Sequence, residues 1–194
     1  MVVLSLVTRF TKNKKGTSSM LEGVGPDADI VVNDNGGKQS LSPMAMHLVD
    51  PSFLLDWASD MAGCYEFVDE SKSTVVDPSN MDRHSCYLAI KYIAVYMLSP
   101  DSWFLKDAMG CLENDGAEMV ITIAKVLKYG ADRYEPNNWR LIPQEDHINH
   151  ALIHIIAHLM GDTQDDHIDH ALCRLMMAYA TKPSEGFSYT SYIK

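Results

Sequence analysis

Apolar residues recur at helical spacing along most of the chain. Over residues 42–67 they return every three or four positions, and Asp50-Pro51 is expected to divide this stretch into two helices, because proline disfavours helical backbone in the residue before it. Later stretches with the same period are residues 86–98, 115–129, 144–160 and 166–180. Gly130 is expected to cap the helix that begins near residue 115. The pattern therefore predicts a mainly α protein.

Residues 1–40 lack this period and contain many Gly, Asn, Asp and Ser residues, which predicts an irregular N-terminal segment. Within it, VVLSLV at 2–7 and DIVV at 29–32 could pair as a minor sheet. Residues 41–194 are expected to form a single helical domain, a compact bundle that ends in a helical hairpin. A chain of 194 residues is long enough for one such domain with its own core.

Composition excludes several partners. The net charge of −10 and the pI near 5.1 argue against a surface for nucleic acid or an anionic membrane. The four cysteines form no CxxC pair, and the first basic run follows the leading apolar residues instead of preceding them, which is the wrong order for a secretory signal. We therefore expect a cytoplasmic protein with reduced thiols. An acidic protein that handles phosphates usually does so through bound cations.

Candidate chemistry is concentrated near the C-terminus. Six of the eight histidines fall within 24 residues, interleaved with aspartates. The histidines are His147, His150, His154, His158, His167 and His170, and the aspartates are Asp162, Asp165, Asp166 and Asp169. Imidazole and carboxylate ligate divalent metals and move protons near neutral pH. The cluster therefore predicts a metal or acid–base site.

Helical geometry allows these side chains to converge. The histidines of the 144–160 helix recur every fourth residue, and His167, His170 and Arg174 share one face of the next helix. The loop 161–165 is short, so the two helices should be antiparallel neighbours whose polar faces meet in one pocket. Imidazoles from both helices together with an Asp suit a zinc-like ion. The alternative is a solvated or interface face that carries histidines without binding metal.

A family resemblance appears in the same half of the chain. The segment VLKYGADRYEPNNWR at 126–140 resembles a motif of the dATP/dGTP diphosphohydrolase N-terminal-like family of phage proteins. The resemblance continues through His154, the pair Gly161-Asp162 and the segment His167-Ile-Asp-His170-Ala171. An upstream family element is matched by Gly36-Gly37-Lys38-Gln39-Ser40. The similarity covers residues 117–180 and 35–43, and residues from about 50 to 115 look like an insertion.

The resemblance implies cleavage of a purine deoxynucleoside triphosphate to the monophosphate and pyrophosphate, with a divalent metal (Mg, Mn, Co or Zn), in the cytoplasm of an infected host cell. The chain departs from the family pattern at three positions. His158 stands where the family has an aromatic residue, Ile153 replaces an Arg, and Arg174 replaces an Asn. At these three positions the role that the family residue has is not expected to carry over unchanged to this chain.

The roles expected for individual residues fall into three sets. The expected catalytic residues are Asp166, Asp169 and His154. The expected metal ligands are His154, His158, His167, Asp169 and His170. The expected substrate-binding residues are cationic, aromatic or amide side chains of the motif, the upstream element and the histidine-bearing helix face: Lys38, Lys128, Tyr129, Arg133, Asn138, Trp139 and Arg174.

Alternatives stay open at this point. Gly36-Gly37-Lys38 could hold a phosphate on its backbone amides, and Tyr134 and Trp139 could pin their loop to the core instead of stacking on a base. MazG-type pyrophosphohydrolases hold magnesium with two acidic pairs, of which Glu66/Asp69 and Asp166/Asp169 are the nearest equivalents.

The competing function is a non-catalytic phage effector that sequesters a nucleotide or blocks a host protein. A phosphodiesterase resembling the HD superfamily is a third possibility, although the cluster lacks the adjacent His-Asp pair that defines it. In either case a homo-oligomer is expected, because helical proteins of this size often complete such pockets by dimerising.

Overall fold

The computed structural model describes residues 29–42, 44–66 and 78–191, and in them it confirms the mainly α fold. The helices are α1 (Pro51–Glu66), α2 (Pro78–Leu98), α3 (Trp103–Leu112), α4 (Gly116–Tyr134), α5 (Gln144–Leu159) and α6 (His167–Ala180). Two 3-10 turns, Met46–Leu48 and Asn138–Leu141, precede α1 and α5. None of the described helices combines the length and apolarity needed to cross a membrane.

A two-stranded hairpin precedes the helices. Strand β1 (Ile30–Val32) pairs antiparallel with β2 (Lys38–Ser40), with Val31 opposite Gln39. The DIVV segment is thus a strand as predicted, but its partner is β2, and the VVLSLV segment proposed as its partner lies outside the described residues. Asn33 closes the turn, because its side-chain oxygen accepts hydrogen bonds from the backbone N–H groups of Asn35 and Gly37.

Several helices begin or end at residues other than those predicted from the apolar period. Residues 42–49 were expected to be helical, but only the Met46–Leu48 turn forms there, because the Asn149 side chain takes the Met46 amide at 2.6 Å. The division at Asp50-Pro51 is confirmed, since α1 begins at Pro51. The short helix α3 was missed. Helix α2 begins at Pro78, before the expected start, and residues 67–77 of the polar connection lie outside the description.

Gly130 does not cap α4, so that prediction is wrong. The helix continues through Gly130 to Tyr134 and ends where Glu135 takes a φ of 89°. Tertiary contacts favour the longer helix, because α4 packs against α6 and the Tyr134 hydroxyl in its last turn lies 2.9 Å from Ser40 Oγ on β2. The extra turn places Arg133 and Tyr134 beside the β1–β2 hairpin.

One hydrophobic core joins helices α1, α2, α3, α5 and α6. Its fully buried members include Ile90 and Ile93 on α2, Leu105 on α3, Leu152 on α5 and Leu172 on α6. Helices α1–α3 lie in the region expected to be an insertion, and their side chains share this core with the C-terminal hairpin. Helix α4 packs on α6 at the periphery, which leaves space between α4, α5 and α6 for a cavity.

The hairpin of α5 and α6 has the geometry expected from the short loop. Gly161, at φ 79°, takes the left-handed conformation after α5. The Gly161 amide donates to the His158 carbonyl at 2.8 Å and the Asp162 amide donates to the Ala157 carbonyl at 3.0 Å, which is the Schellman pattern of helix termination. This stop reverses the chain and brings the histidines of both helices together.

Candidate functional site

A cavity of about 470 Å³ opens between α4, α5, α6, β2 and the loop after α4. All seven residues expected to bind substrate line it: Lys38, Lys128, Tyr129, Arg133, Asn138, Trp139 and Arg174. Of the residues expected to be catalytic or to hold a metal, His154 and His170 also line it. The structure therefore collects side chains separated by more than 130 residues of sequence around one space of ligand size.

The cavity wall is more cationic than the chain as a whole. Its charged members are Lys38, Lys128, Arg133 and Arg174 against Glu135 and Asp165, although the whole chain carries −10. Lys38 pairs with Glu135 at 3.1 Å and Lys128 pairs with Asp132. No described carboxylate lies within 4.0 Å of the Arg174 guanidinium. Such a wall favours an anionic ligand.

Arg174 is held by a neutral histidine. Its Nη1 donates to His147 Nδ1 at 3.2 Å, and His147 Nε2 donates in turn to the Trp139 carbonyl at 3.1 Å. Burial, reinforced by the Arg174 charge, lowers the pKa of His147 to about 3. The imidazole therefore stays neutral and accepts a hydrogen bond from Arg174. This contact orients the guanidinium and leaves its positive charge uncompensated.

A group of metal-ligating atoms lies at the loop end of the hairpin. His154 Nδ1 and His167 Nδ1 are 3.0 Å apart, and Asp165 supplies an oxygen within 4.8 Å of both. On the other side of the His167 ring, Nε2 lies 3.5 Å from the buried Asp162 carboxylate. Burial, together with the charges of His170 and Arg174, lowers the pKa of His154 well below its ordinary value. Neutral imidazoles have the free lone pair that a metal needs.

His170 extends this group toward the cavity. Its Nδ1 donates to Asp165 at 3.0 Å, and its ring stacks on Tyr129 at a centroid distance of 6.4 Å. Burial by itself would raise the pKa of Asp165, but the hydrogen bond and the electrostatic interaction with His170 outweigh it, so the pKa is lowered. Asp165 thus stays a carboxylate in the cavity wall, where it lies beside His154.

Three expected site residues lie elsewhere. His158 contacts Asp82 on α2, and neither Asp166 nor Asp169 lines the cavity. Asp169 is two residues from His167 along α6, which places it about 200° around the helix axis. Burial and the nearby Asp166 charge raise the pKa of Asp169. The acidic pair Asp166/Asp169 therefore lies outside the cavity, and of the pair Glu66/Asp69 neither side chain is among those described.

Asp165 and His150 line the cavity, although neither was assigned a role from the sequence. Asp165 is the last residue of the loop, and its sequence signal was its membership of the His/Asp cluster. His150 lies on α5 one turn before His154, and its buried Nε2 has no hydrogen-bond partner among the described residues. Burial and the Arg174 charge lower the pKa of His150 well below its ordinary value.

The Gly36-Gly37-Lys38 element holds the β1–β2 hairpin in place, because each of its three backbone amides already donates a hydrogen bond within the protein. The Gly36 amide donates to the Asn33 carbonyl, the Gly37 amide to the Asn33 side chain, and the Lys38 amide to Asn138 Oδ1 at 2.8 Å. Asn138 returns a hydrogen bond from Nδ2 to the Lys38 carbonyl at 2.6 Å. These amides are therefore not free to bind a phosphate, and both ends of the Asn138 amide are occupied by the hairpin.

The aromatic residues of the motif have structural contacts of their own. The Tyr134 hydroxyl lies 2.9 Å from Ser40 Oγ, which ties the end of α4 to β2. The Arg140 guanidinium lies 4.3 Å from the centre of the Trp139 ring. Both contacts agree with the interpretation in which these rings hold their loop. Tyr129 differs, because its side chain is 48% exposed beside His170.

Comparison with known proteins supports the resemblance drawn from the motifs. Residues 111–186 match the model of the family described as dATP/dGTP diphosphohydrolase, N-terminal. The matched range contains α4, α5 and α6. It therefore includes all of the cavity wall except residues 38 and 40–42, which belong to β2 and the residues directly after it. The family description is that of a nucleotide hydrolase. No curated protein and no solved structure matches the chain.

Proposed function

We propose, from the match of residues 111–186 to a nucleotide-hydrolase family, that the chain cleaves purine deoxynucleoside triphosphates to the monophosphate and pyrophosphate with the help of a divalent metal. The observation that carries the proposal is the composition of the cavity. Cationic side chains, exposed aromatic surface and a His/Asp group meet around one space of about 470 Å³. A nucleotide needs these three environments for its phosphates, its base and the bond that breaks.

The cationic side chains are suited to the phosphates. Arg174 offers a planar set of donors and has no described carboxylate to compete for them, and it is already oriented by His147. Burial lowers the pKa of Arg174 from its ordinary value, but a guanidinium stays protonated in proteins. We assign Arg174 to the phosphate chain, with Lys38, Lys128 and Arg133 adding positive charge nearer the opening.

Tyr129 is the side chain best placed to contact the base. It is half-exposed at the cavity, and its ring already stacks on the His170 ring at the edge of the histidine group. A purine offers a larger stacking face than a pyrimidine, which favours purine substrates on this surface. Asn138 is bonded at both ends of its amide, so we assign it to holding the wall rather than to the base.

The donor set fits a divalent transition metal. The His154 and His167 Nδ1 atoms are 3.0 Å apart, which is the separation of a hydrogen bond and also that of neighbouring ligands about 2.1 Å from one ion. Asp165 would supply the third ligand. Two imidazoles and one carboxylate favour Mn²⁺, Co²⁺ or Zn²⁺ over Mg²⁺. Such an ion, when bound, lowers the pKa of a coordinated water and neutralises phosphate oxygens.

The surrounding residues support that assignment. Asp162 lies 3.5 Å from His167 Nε2, the position from which a carboxylate fixes the orientation of a ligating ring. His170 donates to Asp165 and lines the cavity, so it can hold that carboxylate in place and accept a proton at the cavity surface. We therefore assign the ligands to His154, His167 and Asp165, and leave Asp166, Asp169 and His158 outside the machinery.

The test is a product analysis with matched variants. The protein is incubated with each ribo- and deoxynucleoside triphosphate and Mg²⁺, Mn²⁺, Co²⁺ or Zn²⁺, and the products are resolved by ion-pair chromatography. We expect a purine monophosphate and pyrophosphate from the wild type and loss of both in His167→Ala and Asp165→Asn. Asp169→Asn, an aspartate outside the cavity wall on the same helix, is the matched control. Full turnover by His167→Ala would refute the assignment.

A second function has one observation in its favour. The described cavity wall contains two carboxylates, Asp165 and Glu135, and Glu135 is paired with Lys38, so no set of four acids like that of MazG-type enzymes surrounds the space. A protein that binds a nucleotide and keeps it intact is consistent with that wall. Tight binding of a triphosphate by calorimetry, without product under any of the four metals, would identify this function.

A further inference from the structure

A second group of metal-ligating side chains lies outside the cavity. Asp82 and Cys86 are four residues apart on α2 and so lie on the same face of that helix. His158, near the end of α5, faces them from across the helix pair. One ligand atom from each of the three lies within 4.8 Å of the other two. None of the three lines the nucleotide cavity.

The three side chains are arranged by depth. The His158 Nε2 atom lies 2.5 Å from an Asp82 oxygen, and their side chains are 31% and 51% exposed. Cys86 is 1% exposed beneath them. Burial, followed by the Asp82 charge, raises the pKa of the Cys86 thiol to about 12, so this cysteine is not a nucleophile on its own at neutral pH. An ion from solvent would enter by replacing the contact between the two outer side chains.

We propose that Asp82, Cys86 and His158 form a second metal site, which takes a thiophilic divalent ion such as Zn²⁺ and joins α2 to α5. Sulfur, nitrogen and oxygen ligands in one group suit Zn²⁺ or Co²⁺, whereas Mg²⁺ avoids sulfur. Three protein ligands leave a tetrahedral ion one position for water. The ion would link residues outside the family-matched range, Asp82 and Cys86, to a residue inside it, His158.

The role that follows is structural. Helix α2 belongs to the region that precedes the matched range, and it packs against α1 and α3 more extensively than against α5. A metal between α2 and α5 would strengthen the weaker of these packings, and binding to the folded state alone raises stability by mass action. This site is independent of the nucleotide cavity, so it holds whether or not the chain hydrolyses nucleotides.

The first test uses Co²⁺ as a spectroscopic probe. The experiment is done in a Cys64→Ser background, because Cys64 is an exposed thiol that could bind the probe by itself. We expect a thiolate-to-cobalt charge-transfer band that is lost in Cys86→Ser and kept in Cys111→Ser and Cys173→Ser. His154→Gln should also keep the band, since His154 belongs to the cavity group. A band that survives Cys86→Ser unchanged, or no band in the parent protein, overturns the proposal.

The second test avoids a core substitution. Asp82 is half-exposed, so Asp82→Asn should fold normally. We expect it to lower Zn²⁺ affinity by at least about tenfold, because mutating even a residue that only hydrogen-bonds to a metal ligand has an effect of that size. Because the cavity group can also bind Zn²⁺, the titration is done in a His154→Gln background, where excess Zn²⁺ should raise the Tm of the parent and have a much smaller effect after Asp82→Asn is added. Asp82→Asn alone should keep nucleotide turnover at the wild-type level. Equal Zn²⁺-induced shifts in the two proteins would overturn the site, without bearing on the nucleotide proposal.

Discussion

Gly37 lies so close to Leu141 that a β-carbon added to it would stand 2.8 Å from the Leu141 carbonyl oxygen. The Asn33 side chain donates a hydrogen bond to the same oxygen at 2.9 Å. The hairpin is thereby fixed to the 3-10 turn that includes Trp139 and leads into α5. The glycine of the GGKQS element is therefore required by packing between two walls of the cavity, and its amide binds Asn33 instead of a ligand.

Gly37→Ala is expected to move the hairpin away from that turn. The clash is with backbone, which yields less easily than a side chain, so we expect a loss of about 1–3 kcal/mol in the free energy of unfolding. Nucleotide affinity should fall as well, because Lys38 moves with the hairpin. Urea denaturation and calorimetry measure the two effects.

Gly63→Ala is the matched control for that change. Gly63 lies within α1 and its added β-carbon would meet nothing within 4 Å. Alanine should stabilise the helix there by about 0.5–1 kcal/mol. If the two variants have equal stability, the close approach at Gly37 does not hold the hairpin.

Arg174→Met is expected to weaken triphosphate binding by about 10- to 100-fold, because it removes charge-assisted hydrogen bonds in a partly buried wall. Nucleoside affinity should change little. Arg174→Lys should recover only part of the loss, since an ammonium lacks the planar donor set that His147 orients. Arg140→Met, which removes an exposed arginine from the neighbouring turn, is the control. Calorimetry with triphosphate and nucleoside separates the cases, and equal losses for both ligands would contradict the phosphate assignment.

Asp162→Asn tests the support of the metal ligands. The amide keeps Oδ1, which accepts from the Gln164 backbone at 2.9 Å, so the loop should retain its shape. The charge beside His167 is lost, and we expect Mn²⁺ affinity to fall by about 10- to 100-fold. Asp166→Asn, an aspartate outside the cavity wall, should bind Mn²⁺ as the wild type does. Metal titrations after chelation measure this, and an unchanged affinity in Asp162→Asn counts against His167 as a ligand.

Acid is expected to destabilise the fold through its buried histidines. The pKa of His147 is about 3 in the folded chain and near its ordinary 6.5 when unfolded, so between these values the unfolded chain binds a proton that the folded chain does not. The stability that depends on neutral His147 is complete above about pH 6.5 and falls as pH is lowered. Each such histidine contributes a slope of about 1 kcal/mol per pH unit.

His147→Gln isolates this contribution, because glutamine can replace both hydrogen bonds without binding a proton. Urea denaturation at several values between about pH 4.5 and 6 should give a slope shallower by about 1 kcal/mol per pH unit than the wild type. Above pH 7 the two slopes should agree. Equal slopes at acid pH would show that His147 does not remain neutral in the folded protein.

The sequence by itself determined the features that depend on local pattern. The helical period predicted the fold class, the short Gly161 loop predicted the α5–α6 hairpin, and the segment 126–140 indicated the family whose model matches residues 111–186. These predictions were correct because helix formation, helix termination and a contiguous motif each depend on residues that are close together in the sequence. Six of the seven cationic, aromatic and amide residues around the cavity followed from the same motif and the upstream element, and Arg174 followed from the helix face that it shares with His167 and His170.

Tertiary structure decided which side chains meet. Histidines spaced four apart drift about 40° per step around the helix, so His154 faces His167 across the hairpin while His158 turns to Asp82, 76 residues away. The same rotation excludes Asp169 and leaves Asp165, at the end of the loop, in the cavity wall. Periodicity identifies a face of a helix but not the neighbour that covers it, and that neighbour depends on packing between segments far apart in the chain.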